Sequence, residues 1–245
     1  MSTPESPRPS VPATPSSAAG RTVLIAGATS AAGHACAAAL QSAGARVIAV
    51  GSNADRLAEL AASVPGTITR VCDLGDLSAV EALAAEIRGQ AAEHGHGGLD
   101  GLVHLVGGWR GGGGLAGQSD EDWRALEAAF GTLRNTTRAF NDDLLASDAG
   151  RLAIVSSTSV ERPLAGGANY AAAKAAADAW TRAVAQGFAK ATAPEPPTAA
   201  AVVFVVKSLA GLEPQLAADV VGLWSTPASA LNGSRITLSP APGHA

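Results

Sequence analysis

The chain holds a single tyrosine, and one of its three lysines stands four residues beyond it, in Asn169-Tyr170-Ala171-Ala172-Ala173-Lys174. Residues four apart share one face of a helix, so this spacing sets the Lys174 ammonium beside the Tyr170 hydroxyl. A neighbouring cation favours phenolate and would draw the phenol below its usual pKa of about 10. A phenol poised in this way exchanges a proton with a carbonyl or alcohol oxygen. The plainer reading is a Tyr and a Lys on an exposed helix face. A second constellation, Ala26-Gly27-Ala28-Thr29-Ser30-Ala31-Ala32-Gly33-His34, follows an apolar run and opens an Ala-rich segment. Small residues at a strand-to-helix turn let backbone N–H groups approach a pyrophosphate. Tight turns need glycine for other reasons too, so this motif gains its weight from its place after the first strand.

The elements that carry these residues alternate along the chain. Apolar runs at 21–26, 45–50, 67–72, 99–106, 151–156 and 199–206 are short and rich in Val, Ile and Leu, and they read as buried strands. Helices are expected near 31–43, 55–62, 77–94, 120–145 and 169–191. A last helix (214–224) and strand (235–238) close the chain. Strands apolar on both faces imply a parallel sheet covered by helices on both sides. The expectation is a doubly wound, Rossmann-like α/β fold forming one domain over 21–245. A disordered tail rich in Pro, Ser, Thr and Ala is expected at 1–20.

Composition narrows the function. A chain of 245 residues with 47% apolar content can bury one large core, and a net charge of −4 argues against a nucleic-acid partner. No apolar run approaches the roughly 18 residues of a membrane span, and the tail lacks the apolar centre of a signal peptide. A cytoplasmic protein is expected. Cys36 and Cys72 lack metal-ligand spacing and read as free thiols in a reducing compartment, with no metal.

The glycine turn and Tyr170-x-x-x-Lys174 together resemble the short-chain dehydrogenase/reductase family, over roughly residues 21–240. That family's first turn, Thr-Gly-x-x-x-Gly-x-Gly, falls on Ala26, Gly27, Ala31 and Gly33, with Ala26 and Ala31 as departures. The resemblance implies a nicotinamide dinucleotide held by Gly27, Thr29, Ser30, Ala32 and Gly33, and by Val106 and Gly107 after the fourth strand. It implies Asp73, followed by Leu74, at the adenine amino group; a turn or cap role competes, because Gly75-Asp76 follow. After the second strand, Ser52 and Asn53 offer neither an acid for a ribose 2′-hydroxyl nor an arginine for a 2′-phosphate. Both can donate hydrogen bonds to a phosphate, which tilts the expectation to NADP over NAD. Ser157, 13 residues before Tyr170, matches the family's catalytic serine, which polarises the substrate oxygen. Lys174 would also hold the nicotinamide ribose. The implied reaction is hydride transfer between nicotinamide and a carbonyl/alcohol or imine/amine in a small molecule. The family's habit of pairing long helices implies a homodimer or homotetramer.

Three departures matter. His104-Leu105-Val106-Gly107 replaces the family's Asn-Asn-Ala-Gly and leads into Gly108-Trp109-Arg110-Gly111-Gly112-Gly113-Gly114. Phe130 stands seven residues after Trp123, where the family has an Asn whose carbonyl holds a relay water. Val206-Lys207 replaces Pro-Gly, and only 208–213 link it to the last helix, leaving little chain for a lid. At the rim, Trp109 can stack on a flat substrate and Arg110 can pair with a carboxylate or phosphate; the plainer reading is a surface loop. His104 reads as a packed strand residue. These departures keep two other readings open: a non-redox enzyme performing cyclisation, elimination or isomerisation, and a non-catalytic subunit.

Overall fold

The strand Thr22–Ala26 (β1) shows how the sequence builds the interior. Val23 and Ile25 point into one apolar cluster and Leu24 and Ala26 into another, because successive side chains of a strand face opposite ways. The same division recurs in Arg46–Gly51 (β2), Gly101–His104 (β4), Arg151–Ser157 (β5) and Ala200–Val206 (β6). A sheet apolar on both faces must be covered on both. Ala31–Ser42 (α1), Ala54–Ser63 (α2) and Glu213–Gly222 (α6) pack on one side. Leu77–Glu93 (α3), Asp120–Ala146 (α4) and Ala168–Thr192 (α5) pack on the other. This computed structural model describes residues 18–93 and 98–239.

With Ile68–Val71 (β3) and Arg235–Thr237 (β7), the sheet has the order β3-β2-β1-β4-β5-β6-β7, and every pairing is parallel. The α/β, Rossmann-like expectation holds. Strand order reverses between β1 and β4, which opens a crevice at their carboxyl ends, where such sheets take their ligands. Side-chain caps set helix starts next to the crevice. Ser30 Oγ accepts from Gly33 N at 3.0 Å, Asn53 Oδ1 from Arg56 N at 2.9 Å, and Ser119 Oγ from Asp122 N at 3.1 Å.

Most of the expected tail lies outside the described residues. Its last three residues form a turn in which Ala18 is buried and Gly20 N–H donates to the Gly44 carbonyl at 2.9 Å. Strand β4 is shorter than the apolar run at 99–106, and beyond it Gly107 has φ of 135°. A short helix, Ala228–Leu231 (α7), precedes β7 and was not expected. Among the described residues, no helix is long and apolar enough to cross a membrane.

Candidate active site

The turn after β1 requires its glycines for packing. Gly27 has φ of 79°, and a Cβ there would stand 2.9 Å from Val106 N. A Cβ on Gly33 would stand 2.1 Å from the Ala28 carbonyl oxygen, so only glycine lets α1 lie this close to its own turn. Ser30 Oγ satisfies Gly33 N–H. The N–H groups of Ala31 and Ala32, at the start of the helix, have no partner within it, and both residues line the neighbouring cleft. Ala31 is exposed, so its extra methyl projects from the turn rather than jamming it. A pyrophosphate fits these donors, and the helix dipole favours it.

Beyond the end of β2 the structure brings to the glycine turn a residue that the sequence did not single out. Asn53 caps α2, which turns Arg56 back over the glycine turn, where Arg56 Nη2 donates to the Thr29 carbonyl at 2.7 Å. Ser52, Asn53 and Arg56 are all exposed there. The signal available in the sequence was the Asn-x-x-Arg spacing at a helix start. Asp73 Oδ1 accepts from Gly75 N at 2.9 Å, which is the turn role. Asp73 also borders a depression shared with Val106, Gly107 and Gly108, while Leu74 is buried beneath it.

Ser157, Tyr170 and Lys174 converge on one cleft of about 590 Å³, and Ser30, Ala31 and Ala32 form another part of its wall. Ser157 ends β5, and Tyr170 and Lys174 lie in the first two turns of α5. Tyr170 faces the same cleft as Ser157, whose Oγ accepts from Ser159 N at 3.1 Å and donates to Ser159 Oγ at 3.1 Å. Lys174 Nζ lies 5.8 Å from the centre of the Tyr170 ring and donates to the Val155 carbonyl at 2.7 Å.

Proton affinities here run against one expectation. Burial raises the Tyr170 phenol above its ordinary value, and the nearby Ser157 hydroxyl only partly offsets this. Burial also pushes the lysine down to about 8, and its ammonium is aimed at a backbone carbonyl rather than at the phenol oxygen.

The family profile described as short chain dehydrogenase matches residues 21–192. The chain belongs to the short-chain dehydrogenase/reductase family. No curated protein sequence matches it. Among solved structures it is similar to a candidate short-chain dehydrogenase from Pseudomonas syringae, with a TM-score of 0.78 and 21% identity, covering 92% of this chain and 97% of that one. It is also similar to a metagenomic short-chain oxidoreductase in complex with NADP, with a TM-score of 0.73 and 25% identity, covering 91% and 100%.

This short-chain dehydrogenase/reductase departs from its family in ways the geometry explains. His104 is buried, with Nε2 2.9 Å from Thr132 Oγ1; burial, and then the Lys174 charge, push its imidazole down to about 3. It is therefore a neutral, packed residue. Helix α4 runs unbroken through Phe130, whose ring meets Trp180 edge-on at 6.3 Å. Phe130, His104 and Lys174 share a small pocket of about 30 Å³.

The rim of this short-chain dehydrogenase/reductase is built by two segments. The glycine loop contributes Gly107, Gly108 and Trp109 to the cleft wall, with Trp109 67% exposed. Arg110 is not part of that wall; it pairs with Asp122 at 3.3 Å and borders the depression near Asp73. Gly112 N–H donates to the Gly166 carbonyl at 2.7 Å, so the loop is docked on the residues before α5. Opposite, the short link after β6 supplies Lys207, Ser208, Leu209 and Ala210.

Proposed function

We propose that this chain is an NADP-dependent oxidoreductase interconverting a carbonyl and an alcohol, or an imine and an amine, in a small molecule. The observation that carries the reading is the convergence of Ser157, Tyr170 and Lys174 on the same cleft as the free N–H groups of the glycine turn. Gly27, Thr29, Ser30, Ala32 and Gly33 would hold the pyrophosphate, Asp73, Leu74, Val106 and Gly107 the adenine side, and Lys174 the nicotinamide ribose. A bound nicotinamide supplies or accepts the hydride.

The chain's own residues handle the proton. Burial keeps the Tyr170 phenol protonated, the form that donates to a carbonyl oxygen as that oxygen becomes an alkoxide. Ser157, on the same cleft as that phenol, turns its hydroxyl from Ser159 to the same oxygen and polarises it. Lys174, pinned to Val155, sets a cation beside the ring without competing for the phenol proton. In the alcohol direction Tyr170 takes the proton back.

Tyr170→Phe removes the donor and keeps the ring. Turnover of a carbonyl substrate should fall by about 10²–10⁴-fold, followed as loss of NADPH absorbance. Affinity for NADPH, measured by fluorescence titration, should be unchanged. Full activity in this variant would end the catalytic assignment, and substrate conversion without change in the nicotinamide would favour non-redox chemistry.

For the preference for NADP, Arg56 is the supporting residue. It is an exposed guanidinium beside Ser52 and Asn53, and no acid stands at the end of β2. Arg56→Gln should weaken NADPH binding by about tenfold or more and leave NADH binding alone, as expected for a lost charge-assisted hydrogen bond. Equal loss for both dinucleotides would remove Arg56 from this role. A homodimer or homotetramer formed through α4 and α5, and a reducing cytoplasmic setting suited to the buried free thiols Cys36 and Cys72, complete the proposal.

A further inference from the structure

The catalytic cleft contains a second cation that the proton chemistry does not use. Lys207 is the first residue after β6, and Val206 is in register with Ser157 on the neighbouring strand. Adjacent strands lie about 4.8 Å apart, so Lys207 leaves the sheet one residue beyond the nearest neighbour of the catalytic serine. It is exposed, and it lines the same cleft as Ser157, Tyr170 and Lys174.

The other charges near this cleft are occupied. Lys174 is held by the Val155 carbonyl, and Glu213 Oε2 accepts from Gly211 N at 2.7 Å. Arg110, the cation expected at the substrate, is spent on Asp122 outside the cleft. Among the described residues, no carboxylate lies within ion-pairing reach of Lys207. The cleft it lines is mixed: Leu105, Val155, Leu209, Ala210 and the ring of Trp109 supply apolar surface, beside the hydroxyls of Ser157, Ser159 and Ser208. An unpaired ammonium in such a cleft, one strand away from the polarising serine, is built to meet an anion on the molecule whose oxygen Ser157 and Tyr170 address.

We propose that Lys207 anchors a carboxylate of the substrate, so that the preferred substrates are oxo acids. Their carbonyl and carboxylate stand several carbon atoms apart, with an apolar or aromatic body lying against Trp109 and Leu209. The proposal rests on the oxidoreductase reading for the carbonyl end only; the carboxylate end stands on Lys207.

The test is an equilibrium titration of the full chain, with and without NADP, by tryptophan fluorescence or calorimetry. The ligands are pyruvate, acetoacetate, levulinate and benzoylpropionate, each set against its methyl ester. At least one of the longer acids should bind about tenfold or more tightly than its ester, as expected for a charge-assisted contact in a partly dry cleft. Lys207→Met should erase that preference with ester binding unchanged, Lys207→Arg should keep it, and NADPH affinity should be the same in all three proteins. The proposal is overturned if no acid outbinds its ester, or if Lys207→Met retains the preference. It is equally overturned if Lys207→Met loses NADPH affinity, which would place the lysine against the cofactor. Failure of the wild-type chain to bind either dinucleotide would end the redox reading, while the acid–ester comparison on the cofactor-free protein would still decide the role of Lys207.

Discussion

Tyr170 and Lys174 illustrate what spacing tells and what it withholds. Their proximity follows from helix geometry and was readable from four intervening steps of sequence. The direction of the phenol's shift was not, because it depends on how deeply a folded cleft buries the ring and where the lysine finds a better acceptor. His104 is a second case. Its place in an apolar run announced a packed residue, but the magnitude of its shift arises from the fold around it and from Lys174. Unfolded, its ring takes up a proton near pH 6.5; folded, it stays neutral down to about 3. The unfolded chain therefore binds more protons through that window, so the stability linked to His104 is present above about 6.5 and is lost as pH falls towards 3. Urea midpoints at pH 7.5 and pH 5 should fall further in the wild type than in His104→Gln, which keeps a partner for Thr132 but cannot be protonated. Equal pH slopes in the two proteins would show that the imidazole does not set the loss.

Helices and strands were readable because their apolar periods, caps and bounding glycines are local. The loop between β4 and α4 was not, since its shape depends on a contact across some fifty residues. Gln118 Nε2 lies at 3.0 Å from the Gly112 and Gly166 carbonyls and 3.1 Å from that of Gly114, while its Oε1 accepts from Asn169 N at 3.1 Å. Four successive glycines, 111 to 114, have φ between 64° and 153°, and these conformations let their carbonyls and N–H groups turn to this side chain and to Gly166. Gln118 thus ties the cleft's rim to the residue just before Tyr170. Gln118→Glu keeps the acceptor for Asn169 but turns a carboxylate oxygen on three carbonyls. That variant should exchange amide hydrogen faster across 111–117 and show KM raised by about tenfold, with NADPH affinity little changed. Unaltered exchange and kinetics would mean that the loop holds its place without Gln118. A rim docked in this way also explains why a chain with so short a link after β6 still encloses a cleft.

Both apolar clusters rest on one sheet, and this bears on whether the chain behaves as a single domain. Ile25 of β1 is wholly buried under α1, and Ile154 of β5 is buried on the opposite face with α4 and α5. The sequence implied two covered faces through strands apolar on every position, but which helix covers which face follows from the crossovers and the observed order of the strands. If the two covered faces were separately folding units, damage to one face would melt that part alone. A shared sheet transmits the loss, because each strand contributes alternate residues to both clusters. Ile25→Val and Ile154→Val each remove one methylene and should each cost about 0.5–1.5 kcal/mol. They do not touch, so the double variant should lose the sum. Far-UV circular dichroism, which follows helices on both faces, and tryptophan fluorescence should report one coincident transition in all variants, moved to lower denaturant in proportion. Separation of the two signals in either single variant would show that the faces unfold independently, and the single-domain reading would fall with it.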